Sequence, residues 1–123
     1  MSLLSSFDIG ATGLTAQAMR LNVISSNIAN VETPGYKRMD VAKDFADRLK
    51  TAVQRGGAKN ALPAPRLTED SQARALRADG NTIDLENELL QMNKNQVDHE
   101  YLTQLIGSNF KSLKMAITGR SSF

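Results

Sequence analysis

Leu21-Asn22-Val23-Ile24-Ser25-Ser26-Asn27-Ile28-Ala29-Asn30-Val31-Glu32-Thr33-Pro34-Gly35-Tyr36 is the stretch around which the chain is organised. It begins inside a helix and stops at a proline–glycine turn. Upstream, Phe7, Ala11, Leu14, Ala18, Leu21, Ser25 and Ile28 alternate in steps of four and three, the spacing of a coiled-coil seam. In the last two turns Ser25, Ser26, Asn27 and Asn30 stand where a helix covering its own core would more often carry Lys, Glu or Gln. Short amides and hydroxyls compete for backbone hydrogen bonds and are mediocre inside helices. They leave a thin surface that suits close packing against another backbone. Thr33-Pro34-Gly35-Tyr36 is predicted to form a type II turn, with Pro34 setting φ and Gly35 taking the positive φ.

Toward the N-terminus, residues 1–6 are expected to fray, with Ser5 or Ser6 as a helix cap. Gly10 and Gly13 each cost about 1 kcal/mol of helix stability relative to Ala, so this helix is weak alone and needs a partner. Beyond the turn, Val41, Phe45, Leu49 and Val53 recur every fourth residue and predict a short amphipathic helix over roughly 40–54, ended by Gly56-Gly57. Residues 58–80 hold Pro63 and Pro65 and no sustained period apart from Ala73 and Leu76. They are read as a mobile loop ending in a short strand-like piece before the Asp79-Gly80 turn. That loop is longer than an ordinary connection in a compact domain.

The last element is the longest. Asp84 suits an N-cap, Glu86 and Glu88 sit in the first turn, and Lys111 and Lys114 lie near the end, an order that complements the helix dipole. Leu85, Leu89, Met92, Gln96, His99, Thr103, Ile106, Phe110, Leu113 and Ile117 again alternate four and three, while Leu90, Val97, Leu102 and Leu105 widen the stripe. Gly119 closes the helix. Some 34 residues at 1.5 Å each span about 50 Å, more than a small globular domain requires. The expected fold is mainly α: long N- and C-terminal helices paired as a coiled-coil hairpin, with a short helix and a loop-rich, partly extended insert between. As one structural unit it divides into residues 1–36, 37–80 and 81–123. Two helices cannot bury seams that wide, so lateral association with further copies or homologous chains must finish the core.

Composition removes whole classes of chemistry. The 123 residues suit one domain with a modest core. Aromatics are 5% and Trp is absent, which argues against a large aromatic-lined ligand cavity. The lack of cysteine excludes disulfides, thiolate metal sites and cysteine nucleophiles. No stretch approaches the roughly 20 apolar residues of a membrane span, and the first residues lack a signal peptide's basic region and apolar core. The net charge of +2 conceals a basic middle: residues 37–77 hold ten Lys and Arg against five acids. These charges are interspersed and lack an aromatic ladder, so a solvated or partner-facing surface fits better than nucleic acid.

Asn27-x-Ala29-Asn30-x-x-Thr33-Pro34-Gly35-Tyr36, after an amphipathic helix, resembles the N-terminal signature of the bacterial flagellar axial proteins, the rod and hook subunits. Asp79-Gly80-Asn81-Thr82-Ile83-Asp84-Leu85-Glu86-x-Glu88 with Met92, Asn95-Gln96, Tyr101, Leu105 and the Phe110-to-Ile117 stretch is similar to the C-terminal region of proximal rod subunits. The opening Met1–Ile9, with Leu14-Thr15-Ala16-Gln17, looks more like a sister rod subunit. The middle is too short for a hook or distal rod protein. The resemblance implies a structural subunit that leaves the cytoplasm through the flagellar export apparatus without signal-peptide cleavage and assembles in the periplasmic rod. Its implied partners are other copies of the chain, other rod proteins, the MS ring and the export apparatus. No small-molecule substrate, nucleic acid, cofactor or membrane insertion is expected.

The residues expected to form the assembly interface are, in the first half, Leu14, Leu21, Asn27, Ile28, Asn30, Pro34, Gly35 and Tyr36. In the last helix they are Leu85, Leu89, Met92, Ile106, Phe110, Leu113 and Ile117. Catalytic and metal sites are not expected. His99 stands between Asp98 and Glu100, but successive helix positions point about 100° apart and do not converge on one ligand. Glu86 and Glu88 diverge likewise and are assigned to the helix dipole. Gly10-x-x-Gly13 and Asp79-Gly80-Asn81 match no phosphate-cradling pattern. The competing readings are a cytosolic helical export chaperone or adaptor, which would form closed dimers, and a basic nucleic-acid-binding protein using residues 37–77.

Overall fold

The computed structural model describes residues 3–58, 61–75 and 77–119. Helix α1 runs Leu3–Ala29, strand β1 Met39–Val41, helix α2 Phe45–Gln54, strand β2 Leu67–Glu69 and helix α3 Leu85–Thr118. The two long helices form an antiparallel hairpin: Gly10 lies against Ile106, Gly13 against Leu102, and Asn27 against Glu88. The predicted coiled-coil pairing of the chain's two ends is therefore present.

The glycines that weaken α1 also let α3 approach it. A methyl group built at Gly10 would stand 2.9 Å from two side-chain carbons of Ile106, and one at Gly13 would stand 2.9 Å from Leu102 Cδ2. Both distances are shorter than real carbon contacts, so the helices sit closer here than any larger residue allows. Close approach also rotates α1 relative to its expected seam. The face turned inward carries Gly10, Ala16, Val23, Ile24 and Asn27, whereas Ala11, Ala18, Leu21 and Ser25 are exposed. The four–three pattern found a real stripe, but much of it lies beside the intrachain contact and not within it.

The start of α1 also differs from expectation. The helix begins at Leu3, so Ser5 and Ser6 are interior helical positions and not caps; Met1 and Ser2 lie outside the described residues. In the insert, the predicted 40–54 helix starts later, at Phe45. Met39, Asp40 and Val41 instead pair antiparallel with Glu69, Thr68 and Leu67, and the Ala42 N–H donates to Arg66 O. Extended backbone satisfies donors that a helix would have left to water at that end. Gly56 and Gly57, both at positive φ, follow α2 as expected. The strand of this loop is β2, paired to β1 and earlier than the strand-like piece expected just before Asp79-Gly80, where the described residues form no strand. Leu76, read with Ala73 as a period, lies outside the described residues.

A small core sits where α1, β1 and α2 meet: Ala16, Val41 and Phe45, with Met19 and Leu49 packed against it. Helix α3 has the expected ends. The Asp84 carboxylate accepts the N–H groups of Glu86 and Asn87, and Gly119 at φ +65° receives the chain in the left-handed region.

Candidate assembly interface

The proline–glycine turn has the predicted geometry. The Tyr36 N–H donates to Thr33 O at 3.3 Å, and Gly35 sits at φ +71°. What holds it against the rest of the chain is Asn81, a fully buried residue to which the sequence reading gave no such role. Its Nδ2 donates to the carbonyls of Asn30, Val31 and Thr33 at 3.0, 3.1 and 2.8 Å, and its Oδ1 accepts from the Ile83 N–H. Asp79 in turn accepts from the Asn81 N–H, and the Thr82 N–H donates to Tyr36 O. The α1 terminus and the α3 entry are thus sewn into one unit. The signal in the sequence was the Asp79-Gly80-Asn81 turn itself.

Below it lies a buried polar cluster. Asn27, 0% exposed, bonds Met39 as a backbone strand would: its Nδ2 donates to Met39 O at 2.9 Å and its Oδ1 accepts from the Met39 N–H at 3.1 Å. The same Nδ2 reaches Glu88 Oε2 at 3.4 Å. Arg38 donates through Nε to Glu88 Oε1 at 2.7 Å and through Nη1 to Asp70 Oδ2 at 2.6 Å. Asp40 adds a longer pair to Arg38 and another to Arg20. Glu88, also 0% exposed, is therefore a structural anchor, which corrects its assignment to the helix dipole. Burial works against the Arg38 charge, but its bonds to Glu88 and Asp70 outweigh that and raise its pKa. For Asp70 burial pushes upward, while the Arg38 bond, the Gln72 N–H and nearby cations hold the carboxyl below its usual range. Position alone hid Arg38, Asp70 and Glu88, because the pairs join residues 32 and 50 apart.

The expected interface residues separate into two groups. Asn27 is sealed inside. Asn30 is half-buried and serves its own chain, donating to Ser26 O and accepting from Thr33 Oγ1. Leu14, Ile28, Tyr36, Met92, Ile106 and Leu113 are half-buried. Pro34, Gly35, Leu21, Leu85, Leu89, Phe110 and Ile117 are exposed. Phe110 keeps one intrachain contact, an edge-on approach to Phe7 with ring centroids 6.5 Å apart.

At 100° per residue, the exposed Leu85, Leu89, Phe110 and Ile117 lie along one flank of α3. Leu90, Val97, Tyr101 and Leu105 form a second exposed stripe, turned about 150° away at the same helical increment. The inward-facing positions, Glu88, Asn95, Leu102 and Ile106, lie between the two. One helix thus offers apolar surface on both sides of its intrachain contact. His99 is exposed. Among the described residues, no group of three or more His, Asp or Glu is placed to hold a metal, and no helix is long and apolar enough to cross a membrane.

Residues 7–37 match the family model described as "Flagella basal body rod protein". Among curated proteins, the chain is 30% identical to the flagellar basal body rod protein FlgB of Escherichia coli (strain K12), covering 81% of this chain and 83% of the relative. It is 29% identical to FlgB of Salmonella typhimurium, covering 86% and 88%. FlgB of Borrelia hermsii is also 29% identical, covering 91% and 95%.

Proposed function

Because the chain belongs to the flagellar basal body rod proteins, and its relatives above are FlgB proteins, we propose that it builds the proximal part of the rod by packing its helical hairpin sideways into a tube. Family membership makes it a structural subunit of the flagellar basal body that associates with other rod components. The observation that carries the finer reading is the pair of exposed apolar stripes on opposite flanks of α3. A closed two-fold dimer would bury one flank and leave the other in water. A ring or helical tube gives every subunit a neighbour on each side. Torque would then pass through many interdigitated side chains and through no single bond.

The same reading makes the MS ring and the export apparatus partners of this chain, carries it to the periplasmic rod without cleavage, and keeps residues 37–80 as the part facing other components. Several basic groups of that insert are engaged internally: Arg38 with Glu88 and Asp70, Arg66 with Asp44, and Lys43 with Gln72. That favours a structural role over nucleic-acid binding. Fractionation of flagellated cells, followed by detection of the full-length chain in purified basal bodies, tests the proposal. The chain is expected in the basal-body fraction; confinement to the cytosol as a discrete dimer would replace this reading with an export adaptor.

A further inference from the structure

Asp79-Gly80 is the one place in the sequence where Asp or Asn precedes glycine. That pair carries a chemistry of its own, because a residue without Cβ leaves its amide nitrogen open to the neighbouring side chain. The Gly80 nitrogen can attack Asp79 Cγ. A carboxyl oxygen then leaves as water, taking the amide proton and the carboxyl proton, and a five-membered succinimide closes. Water adding at the Asp79 main-chain carbonyl breaks that carbon's bond to nitrogen. One water is lost and one gained, and nothing is oxidised or reduced. The chain now runs through the Asp79 side chain and is one backbone carbon longer.

In the folded chain both reacting groups are tied. Asp79 is exposed to water, yet its Oδ1 accepts the Asn81 N–H at 2.9 Å, and the Gly80 N–H donates to Arg77 O at 3.1 Å. Lys37 Nζ donates to Gly80 O at 3.2 Å. Gly80 sits at φ +82° against the first turn, where a methyl built on it would stand 3.8 Å from Gly35 Cα. One residue on, Asn81 is buried with its Nδ2 shared among the carbonyls of Asn30, Val31 and Thr33. Ring closure must free the Gly80 N–H and swing the Asp79 carboxyl away from Asn81, so it requires this joint to open locally. We propose that Asp79-Gly80 is a fold-guarded isomerisation site, slow while Asn81 holds the turn and reactive whenever the joint is open. An extra backbone carbon just before Asn81 puts its amide out of register with the three carbonyls. A chain that isomerises while open therefore cannot rebuild the joint, and Asp79 becomes a lasting chemical mark of chains that have spent time unfolded.

The test ages the purified full-length chain at neutral pH, folded or in urea, and digests it with trypsin. The peptide running from Ala78 to Lys94 is then resolved by chromatography and mass spectrometry into aspartyl and isoaspartyl forms of equal mass. The chain in urea should gain isoaspartate at Asp79 faster than the folded chain by about tenfold or more, a tenfold gap being set by about 1.4 kcal/mol. Asn81→Ala, verified as folded by circular dichroism, should close most of that gap. In urea it should age like the parent, since Gly80 is unchanged. Lys37→Met loses only an exposed donor and should raise the folded rate by a smaller factor, which keeps the guard testable where Asn81→Ala does not fold. The isolated isoaspartyl chain should show faster amide exchange at Ile83 than the parent. Equal rates folded and in urea, no isoaspartate in urea, parent-like ageing of the folded variants, or parent-like exchange in the isomerised chain would overturn the proposal.

Discussion

The two ends of the hairpin are built on different principles. At the turn end, Asn27, Arg38, Asn81 and Glu88 are buried and bonded to one another or to backbone at 2.7–3.4 Å. At the far end, Phe7, Gly10 and Gly13 meet Phe110, Ile106 and Leu102 through apolar contacts, with Phe110 exposed to solvent. Directional bonds to buried partners specify one arrangement, since any other leaves a charge or amide unsatisfied. Half-covered apolar contacts specify much less and gain most when a neighbour covers them. The chain therefore fixes its own geometry at the turn and leaves apolar surface open along the shaft.

The sharpest way to break this contrast is Arg38→Ala, which strands Glu88 as an uncompensated buried charge. Loss of about 3–5 kcal/mol is expected by chemical denaturation, and the pairing Arg38→Met with Glu88→Leu should recover most of it. If Arg38→Ala costs no more than a surface change, the turn end is not the anchor. Gly35→Val forces a β-branched residue into φ +71° and should cost about 1–3 kcal/mol by thermal melting. It should also loosen the Asn81 bonds, seen as faster amide exchange at Ile83.

Acid separates the ends more gently. The Asp70 carboxyl is held below its ordinary range, so its contribution to stability is present above the unfolded-state pKa and lost as pH falls through the lower folded-state pKa. Asp70→Asn should flatten stability against pH in that acidic window and leave the neutral-to-basic range parallel to the parent, as followed by circular dichroism. The smallest effect on the monomer is expected at the shaft. Val97→Asp, on an exposed stripe, should shift stability by less than about 0.5 kcal/mol while abolishing rods in basal bodies and motility. Normal swimming by that variant would remove the Leu90-to-Leu105 stripe from the interface.

Much of the architecture was legible beforehand because it depends on local rules. Pro34-Gly35 sets a type II turn through φ alone, Asp84 caps α3 through its own carboxylate, and Gly119 ends it by accepting the left-handed region. The seam of α3 announced a helix of 34 residues. The assembly candidates Leu85, Leu89 and Ile117 were named from period alone, and they are exposed.

Other features belong to contacts between distant residues, where no period leads. Whether Glu88 serves a dipole or a buried Arg38 depends on the chain bringing Arg38 back to α3 from 50 residues away. Whether Val41 is helical or extended depends on Leu67 arriving as its partner. Which stripe of α1 turns inward depends on how closely Gly10 and Gly13 admit Ile106 and Leu102. The sequence alone determined the helices, their ends and the turn, because backbone torsion and hydrophobic period act over a few residues. Only the tertiary structure decided which polar groups are anchors and which apolar faces remain open, because burial is a property of what packs on the other side.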